Sequence, residues 1–512
     1  MNGKRRSLFA ATLAALGVVL ALGADDASSK ELSGDAPRAA KLRALTYELS
    51  SAETLKQLAG ASETDQLIAV EKARALLYEG RCAESAAILS RPDLAESDEV
   101  AAMGDVSRGC ERSVAGAVVV ENEEAGSWIR FQDGLDVALA PLLNQVVKES
   151  REIFKKDLGV EMPRPIRIEV VRDQFGLSAM TGLPLSAART TGTIGIAKWG
   201  RVVVVSPRAT SKGYPILDTI AHELTHLALS RGSGDNAPLW LQEGVAKELE
   251  TQWREPTPFD DVPPADDVAL FGIRKKIGPE IHKIGPSIAL LPSAIEAEIT
   301  YAKVHSFMRF YAREAGDGAM PKLLSELKTA DAGTKIDDLI EKSSGATFTA
   351  WSEKWKGHLE RSGKELPEDL KPGAAPPKEM KEARRRFRLG ELMAGRGHHA
   401  AAVKELDRAQ TLLPRDASTR ALLAKSLLRM GEKEKAAKLV AEAGDVATSD
   451  ARWWSIRAAL GIGEPQKAIR VATGLAPYDP DVTCEEKDPP DLPEDPIQRA
   501  VCQAARERPR SR

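Results

Sequence analysis

The segment from His222 to His226, with the sequence His-Glu-Leu-Thr-His, constrains the fold of this chain more than any other feature. Two histidines four residues apart lie on the same face of an α-helix, so both imidazoles can reach one metal ion. Glu223 is then placed to act on a water molecule at that ion. The chain has only seven histidines, so chance rarely assembles this pattern. The segment predicts a helix with His222 and His226 as metal ligands and Glu223 as general base; two unrelated surface histidines are the alternative.

A catalytic zinc site needs a third protein ligand and one open position for water. The version of the motif with a third histidine requires Gly and His three and six residues after His226. Those positions hold Leu229 and Gly232, which excludes that version. The next strong candidate is Glu243, and Glu248 and Glu250 are alternatives on the same predicted helix.

The phrase Trp-Leu-Gln-Glu-Gly-Val-Ala, residues 240–246, follows the two histidines. His-Glu-x-x-His followed by Trp-Leu-x-Glu-Gly-x-Ala resembles the gluzincin metallopeptidases, specifically the bacterial peptidase MA-like group. The resemblance spans roughly residues 166–359 and is specific at its two motifs. It implies a zincin-like domain with one zinc ion, in which Glu223 takes a proton from a zinc-activated water. The zinc ligands that the resemblance implies are His222, His226 and Glu243.

Two features of the implied site are open. Thermolysin-like members place an Asp four residues after the ligand Glu to orient a histidine, whereas this chain has Lys247. The group that holds the imidazoles must therefore differ. The donor that stabilises the oxyanion is either Tyr301 or His305, on a helix that resembles one in the family; packing between helices is the alternative role for Tyr301.

The alternation and periodicity of apolar residues predict the secondary structure around the site. We predict a helix over 136–158, a strand over 166–171 and a hairpin formed by 193–197 and 201–205. The motif helix follows, with Asp218 or Thr219 available to cap it. In gluzincins the strand before the zinc helix pairs with an extended substrate. The strand at 192–197 would do so here, although a plain core hairpin fits equally well.

Both ends of the chain have helical patterns. The segment 76–89 predicts a helix, a tight turn at Gly80 and a second helix. Near the other end, three glycines spaced by about 34 residues each precede an alanine by five residues, which resembles the tetratricopeptide repeat. Stacked helix pairs of no particular family are the alternative. The glycines and alanines are Gly397, Gly431, Gly463, Ala402, Ala436 and Ala468.

The N-terminus predicts export. Lys4-Arg5-Arg6 precedes an apolar run from Leu8 to Leu22, and cleavage is expected after Gly23; an uncleaved anchor is the alternative. No cysteine follows the run, so we expect no lipid anchor there. We predict the local disulfides Cys82–Cys110 and Cys484–Cys502, as expected in an oxidising compartment, with free thiols as the alternative.

These features predict an α+β protein, in which helical repeat regions flank the zincin-like metallopeptidase domain. The predicted segments are a signal peptide at 1–23, an N-terminal helical region at 24–118, the metallopeptidase domain at 119–364, a linker at 365–378, tetratricopeptide-like repeats at 379–476 and a Pro-rich acidic tail at 477–512.

The resulting functional prediction is a secreted or periplasmic zinc endopeptidase. Its expected partners are a peptide or protein substrate and a protein bound by the repeats. The net charge of −3 does not indicate a surface that binds nucleic acid. We expect no membrane attachment after signal cleavage. A repeat-based binding scaffold with a latent peptidase domain, and a zinc amidase that acts on a cell-wall amide, are the alternatives.

Overall fold

The computed structural model describes residues 32–475, apart from 61–63, 95–96, 210–213, 257–259, 286–287, 289–290, 332, 369, 375–377, 445, 447 and 449. These residues form a small five-stranded sheet and many helices, which confirms the predicted α+β fold class. The predicted signal peptide, the acidic tail and the Cys484–Cys502 pair lie outside the described residues. Among the described helices, none has the length and apolar composition needed to cross a membrane.

The N-terminal region is helical, as predicted. Gly80 has a φ of 72° and forms the expected tight turn between two helices. The disulfide Cys82–Cys110 is present, which confirms this prediction and links two helices of the region. The helices are α1 (Ala36–Tyr47), α2 (Ser51–Gln57), α3 (Gln66–Tyr78), α4 (Cys82–Leu89) and α5 (Asp98–Ser113).

The sheet has the strand order β1-β2-β3-β5-β4. The two outer pairs are antiparallel, whereas β2–β3 and β3–β5 are parallel. The strand at 166–171 and the hairpin match the sequence prediction, and the hairpin places β4 at one edge of the sheet. The strands β1 and β2 were not predicted. The strands are β1 (Val118–Asn122), β2 (Ser127–Phe131), β3 (Ile166–Val171), β4 (Gly195–Lys198) and β5 (Arg201–Val205).

Helices cover both faces of the sheet, and strand alternation divides its side chains between them. Val202 and Val204 belong to the large core that also contains the motif helix. Val203 and Val205 belong to a second core, which they share with the N-terminal helices. The N-terminal helical region and the sheet are therefore built around one continuous apolar layer.

A buried row of charges crosses the second face beneath the N-terminal helices. Glu169 accepts hydrogen bonds from Arg130, at 2.8 Å, and from Arg201, at 3.3 Å. Burial lowers the pKa of Arg201 to about 10. Guanidinium nitrogens of both arginines lie 3.8 Å from the sulfur of Cys82. The disulfide therefore packs directly on the charged row of the sheet.

The motif helix begins earlier than predicted. It starts at Ile216 after Pro215, and no side chain caps its first turn. The prediction of a cap at Asp218 or Thr219 was therefore wrong. Asp218 instead forms an ion pair with Arg254 at 2.7 Å. The remaining helices of this region are α6 (Ala140–Ile153), α7 (Gln174–Thr181), α8 (Leu185–Thr191), α9 (Ile216–Ser233), α10 (Leu239–Leu249), α11 (Ala265–Lys275), α12 (Ala294–Ala315), α13 (Ala319–Thr329), α14 (Ile336–Ser344) and α15 (Phe348–Ser362).

Three helix pairs follow at the C-terminal end. The repeated glycines have positive φ and form the turns within the pairs, while the repeated alanines are buried between helices. Val471 and Leu475 of the last helix belong to the same core as the motif helix. The helices are α16 (Lys378–Gly395), α17 (His399–Leu412), α18 (Ala417–Arg429), α19 (Lys433–Ala441), α20 (Ala451–Leu460) and α21 (Pro465–Leu475).

Candidate metal centre

The two histidines of the motif lie deep in the molecule on α9. His222 is fully buried and His226 is 4% exposed. Their ring centroids are 5.0 Å apart, as expected for residues one turn apart on a helix. The helix packs against the strands β4 and β5 and against the helices α6, α10 and α13. These imidazoles are therefore not surface residues.

Glu243, on α10, completes a cluster with the two histidines. Its Oε2 atom lies 3.6 Å from Nε2 of His222 and 3.9 Å from Nε2 of His226. One ligand atom from each of the three residues lies within 4.8 Å of the others, and all three residues are buried. The structure thus brings together the three residues that were predicted as metal ligands.

Glu250 supplies the imidazole partner that the sequence left open. Its Oε2 atom lies 3.0 Å from Nδ1 of His222, and its other oxygen pairs with Lys247. A carboxylate can only accept, so Nδ1 of His222 carries a hydrogen, and Nε2, which faces Glu243, is the nitrogen that a metal ion would use. Such a contact fixes both the tautomer and the orientation of a metal-binding histidine. Glu250 is therefore the partner of the predicted ligand His222.

Glu248 and His305 belong to a different group of charges. Glu248 Oε2 lies 2.9 Å from Nε2 of His305 and 3.2 Å from Nε of Arg309. Arg309 in turn pairs with Asp261 at 2.8 Å. The ring nitrogen of His305 that faces Glu248 is thus already engaged, and Glu248 is not part of the cluster formed by His222, His226 and Glu243.

Several polar atoms at the cluster are buried without a hydrogen-bond partner among the described residues. Such groups are costly unless something satisfies them. These atoms are Nε2 of His222 and of His226, both carboxylate oxygens of Glu223, Oε2 of Glu243 and the hydroxyl of Tyr301. The amide of Ala197 is close enough to Glu223 to favour its charged form slightly, although it misses ordinary hydrogen-bond geometry.

The protonation of the cluster follows from burial and neighbouring charge. Burial raises the pKa of Glu223 to about 8, with Glu243 adding to the effect and His222 opposing it. Burial opposes protonation of His222, but its contacts with Glu243 and Glu250 outweigh this and raise its pKa to about 9. Burial lowers the pKa of His226 to about 4. Near neutral pH the metal-free cluster therefore holds protons on His222 and Glu223, where a bound cation would instead balance the carboxylates.

The donor set fits zinc. Two imidazole nitrogens and one carboxylate oxygen are a ligand set found at catalytic zinc sites, which keep a fourth position open. A cation would satisfy the orphaned Nε2 atoms and Glu243, and Glu223 and Tyr301 are the buried groups without partners that would be available to a water on it. His222, His226 and Glu243 would hold the ion.

Two glycines allow the close packing that positions these groups. A Cβ atom at Gly244 would lie 2.4 Å from Cγ of Met308 and 2.6 Å from the carbonyl oxygen of Val304, so α10 and α12 cross with their backbones nearly in contact. A Cβ at Gly195 would lie 3.4 Å from Oε1 of Glu223. The edge strand β4 therefore runs directly against the predicted base.

A cavity of about 660 Å³ opens beside the cluster. One side is lined by His226, Gln242 and Ala197, and the opposite side by residues of α1, α3 and α5 such as Tyr78 and Met103. The cavity connects the candidate centre with the N-terminal helices. The sequence did not predict this wall, because it depends on how the N-terminal helices pack across the sheet.

Comparison with known proteins identifies one part of the chain. Residues 393–460 match the family model of the tetratricopeptide repeat, which confirms the repeats predicted from the glycine spacing. This match lies within the C-terminal helix pairs α16–α20. No curated protein and no solved structure matched the chain significantly.

Proposed function

We propose that the protein is a zinc-dependent endopeptidase of the gluzincin type. The observation that carries this proposal is the convergence of His222, His226 and Glu243 in a buried cluster, next to the unsatisfied carboxylate of Glu223. The two sequence motifs resemble those of gluzincin metallopeptidases, and this resemblance suggests hydrolysis of a peptide bond as the reaction. A base, a hydroxyl and two imidazole nitrogens without partners, gathered at one buried cluster, are what a site for a cation and a water would present.

Each residue then has a defined task. Zinc, when bound, would make a water molecule nucleophilic near neutral pH and polarise the scissile carbonyl. Glu223 accepts the proton from the attacking water and delivers it to the leaving nitrogen. The hydroxyl of Tyr301 is the donor that we assign to the oxyanion. We prefer Tyr301 to His305 because the latter is engaged by Glu248.

The edge strand gives the substrate its alignment. β4 lies at an edge of the described sheet and runs against Glu223. An extended peptide that pairs with β4 through backbone hydrogen bonds would present a peptide bond to the base. The cavity beside His226 would receive neighbouring side chains.

Export and a protein partner are further parts of this proposal. The disulfide Cys82–Cys110 favours an oxidising compartment, in agreement with the basic and apolar N-terminus. Tetratricopeptide repeats generally bind other proteins, so the segment 393–460 is the natural place for a protein partner or a protein substrate.

The decisive experiment compares zinc-loaded protein with its Glu223→Gln variant on a complex peptide library, with products read by mass spectrometry. We expect cuts with the first protein and none with the variant, although both bind one zinc. Glu149→Gln, at an exposed position of α6, is the matched control and should cut normally. Cuts that persist in Glu223→Gln would refute the assignment of the base.

The repeat match supports a second candidate, a binding scaffold with a latent metal site. A scaffold would show no cuts with any peptide, while a protein partner would bind wild type and Glu223→Gln equally. Release of an amine from cell-wall fragments without peptide cleavage would instead identify the amidase.

A further inference from the structure

The cavity beside the candidate centre contains a lysine without a counter-charge. Lys198 is the last residue of β4 and lines the cavity together with His226. Within the part of the chain that the structure describes, no carboxylate forms an ion pair with its ammonium group. The ammonium group lies over the ring of Trp199, whose centroid is 5.3 Å from Nζ. Burial lowers the pKa of Lys198.

The hairpin turn holds this lysine in place. Trp199 and Gly200 both have positive φ, at 56° and 68°, which is the geometry of a tight two-residue hairpin turn. The indole nitrogen of Trp199 donates to the carbonyl of Thr181 at 3.4 Å. A Cβ at Gly200 would lie 2.2 Å from the ring of Tyr78 on α3. The turn is thus fixed against the N-terminal helices.

The other charges of the cavity do not neutralise Lys198. Glu99 is paired with Arg74, and Asp105 with Arg108 at 2.7 Å. Asp235 accepts a hydrogen bond from Ser230, and burial raises its pKa, which favours its neutral form. Arg112 also lines the cavity. The unpaired charge that faces the cavity is therefore mainly positive.

We propose that Lys198 is a specificity-determining residue that binds an acidic side chain of the substrate, within three residues on the amino-terminal side of the scissile bond. This inference rests on the proposed peptidase function. A carboxylate from the peptide would supply the counter-charge that the cavity lacks, in a partly desolvated place where such a pair is strongest.

The side of the bond follows from strand direction. β4 runs from Gly195 to Lys198, and Glu223 lies against Gly195 and Ala197. Antiparallel pairing is the more stable arrangement per residue, and a peptide that pairs antiparallel with β4 places its earlier residues beside the carboxyl end of the strand. Its amino-terminal side therefore lies next to Lys198.

The test uses the full zinc-loaded protein with the variants Lys198→Met and Lys198→Glu. We expect wild type to favour Asp or Glu before the cut. Lys198→Met should lower kcat/KM for an acidic peptide by about tenfold and leave its amide analogue unchanged. Lys198→Glu should favour Lys or Arg at the same position. Lys148→Met, at an exposed position outside the cavity lining, is the control and should match wild type.

Different results would contradict peptide cleavage and recognition of an acidic residue by Lys198. Cuts without a preference for acidic residues, or a preference unchanged in Lys198→Met, would overturn this inference and keep the peptidase. If no peptide is cut, fluorescence anisotropy with the same acidic and amide peptides decides: weaker binding of only the acidic peptide to Lys198→Met would support recognition by Lys198. Equal binding would overturn it. Zinc content confirms that each variant is folded.

Discussion

At His222, two carboxylates contact opposite sides of one buried ring. Glu250 lies 3.0 Å from Nδ1, and Glu243 lies 3.6 Å from Nε2. The first contact fixes the tautomer, and the second marks the side on which a cation would bind. The three glutamates of α10 and its C-terminal cap therefore differ: Glu243 is the proposed ligand, Glu250 contacts the proposed ligand His222, and Glu248 pairs with His305.

These roles predict a ranking of zinc affinities. Glu243→Ala should weaken zinc binding most, because it removes a ligand. Glu250→Ala should weaken it by about 10- to 100-fold, because His222 loses its orienting partner. Glu248→Ala is the matched control and should leave affinity nearly unchanged. Competition with a chromophoric chelator measures all three, and an equal loss in Glu248→Ala would contradict the ligand assignment.

Glu223 makes the stability of the metal-free protein depend on pH. Its pKa is about 8 in the folded protein and 4.5 for an ordinary glutamate. The folded state therefore loses stability relative to the unfolded state as pH rises from about 5 to 8. Glu223→Gln removes this titration, so its advantage in melting temperature over wild type should grow with pH. Thermal unfolding of both metal-free proteins at pH 5 and pH 8 measures the effect.

Zinc provides the control for that measurement. A nearby dication favours the carboxylate form of Glu223, so saturating zinc should shrink the advantage of Glu223→Gln at pH 8. An advantage that is constant across pH would contradict a raised pKa for Glu223.

The sequence predicted the cluster of His222, His226 and Glu243 but not the contacts around it. The spacing of His222 and His226 follows from the helix repeat alone, and Glu243 was found through its motif. The role of Glu250 depends on how α10 crosses α9, which no local pattern encodes. Lys198 likewise became a candidate only when the N-terminal helices were seen to close a cavity around it.

At the scale of the elements, the crossing of α10 and α12 determines where Glu243 lies. Gly244 allows this crossing, because its missing side chain leaves room for Met308 and the backbone of Val304. The Gly of the Glu-Gly pair is thus required by packing. Tyr301 and Glu243 lie on the two helices that meet there, so one contact positions both a predicted ligand and the predicted donor.

Substitution of this glycine should therefore affect both stability and metal binding. Gly244→Ala should lower the free energy of unfolding by about 1–3 kcal/mol, as overpacking does, and weaken zinc binding. Gly395→Ala, at a helical position with nothing within 4 Å of the added Cβ, should be neutral or slightly stabilising. Urea unfolding and zinc titration measure both effects. Equal effects in the two variants would contradict the packing argument.

Element boundaries were predicted unevenly. The strand at 166–171 and the hairpin were found because their residues alternate and a tight turn separates the hairpin strands. The strands β1 and β2 were missed, since β1 has no fully buried residue and Arg130 interrupts the apolar pattern on the buried side of β2. The start of α9 was misplaced because Asp218, a good capping residue, is instead held by Arg254.

For the whole molecule, the N-terminal helices are part of the architecture around the candidate site. They share an apolar core with the sheet, and their disulfide packs on the buried row of charges. A removable inhibitory segment would leave that core and those charges exposed. The structure therefore favours a permanent wall of the cleft over an inhibitory prosegment.

Loss of the disulfide should reveal this dependence. The two cysteines are 28 residues apart, and a cross-link over such a loop contributes about 3.6 kcal/mol. The double variant Cys82→Ser/Cys110→Ser should therefore unfold at lower urea concentration and should lose cleavage rather than gain it. Increased cleavage after disruption of the helices would indicate inhibition instead.

The edge position of β4 also affects colloidal behaviour. In the described sheet no strand pairs with the outer side of β4, so an extended chain could pair there, including a strand from another copy of the protein. β4 has only four residues, ends at a lysine and is followed at once by a tight turn. Short length and a terminal charge are the features by which natural proteins suppress edge-to-edge aggregation. The same four residues would thus balance access for a ligand against self-association at high concentration.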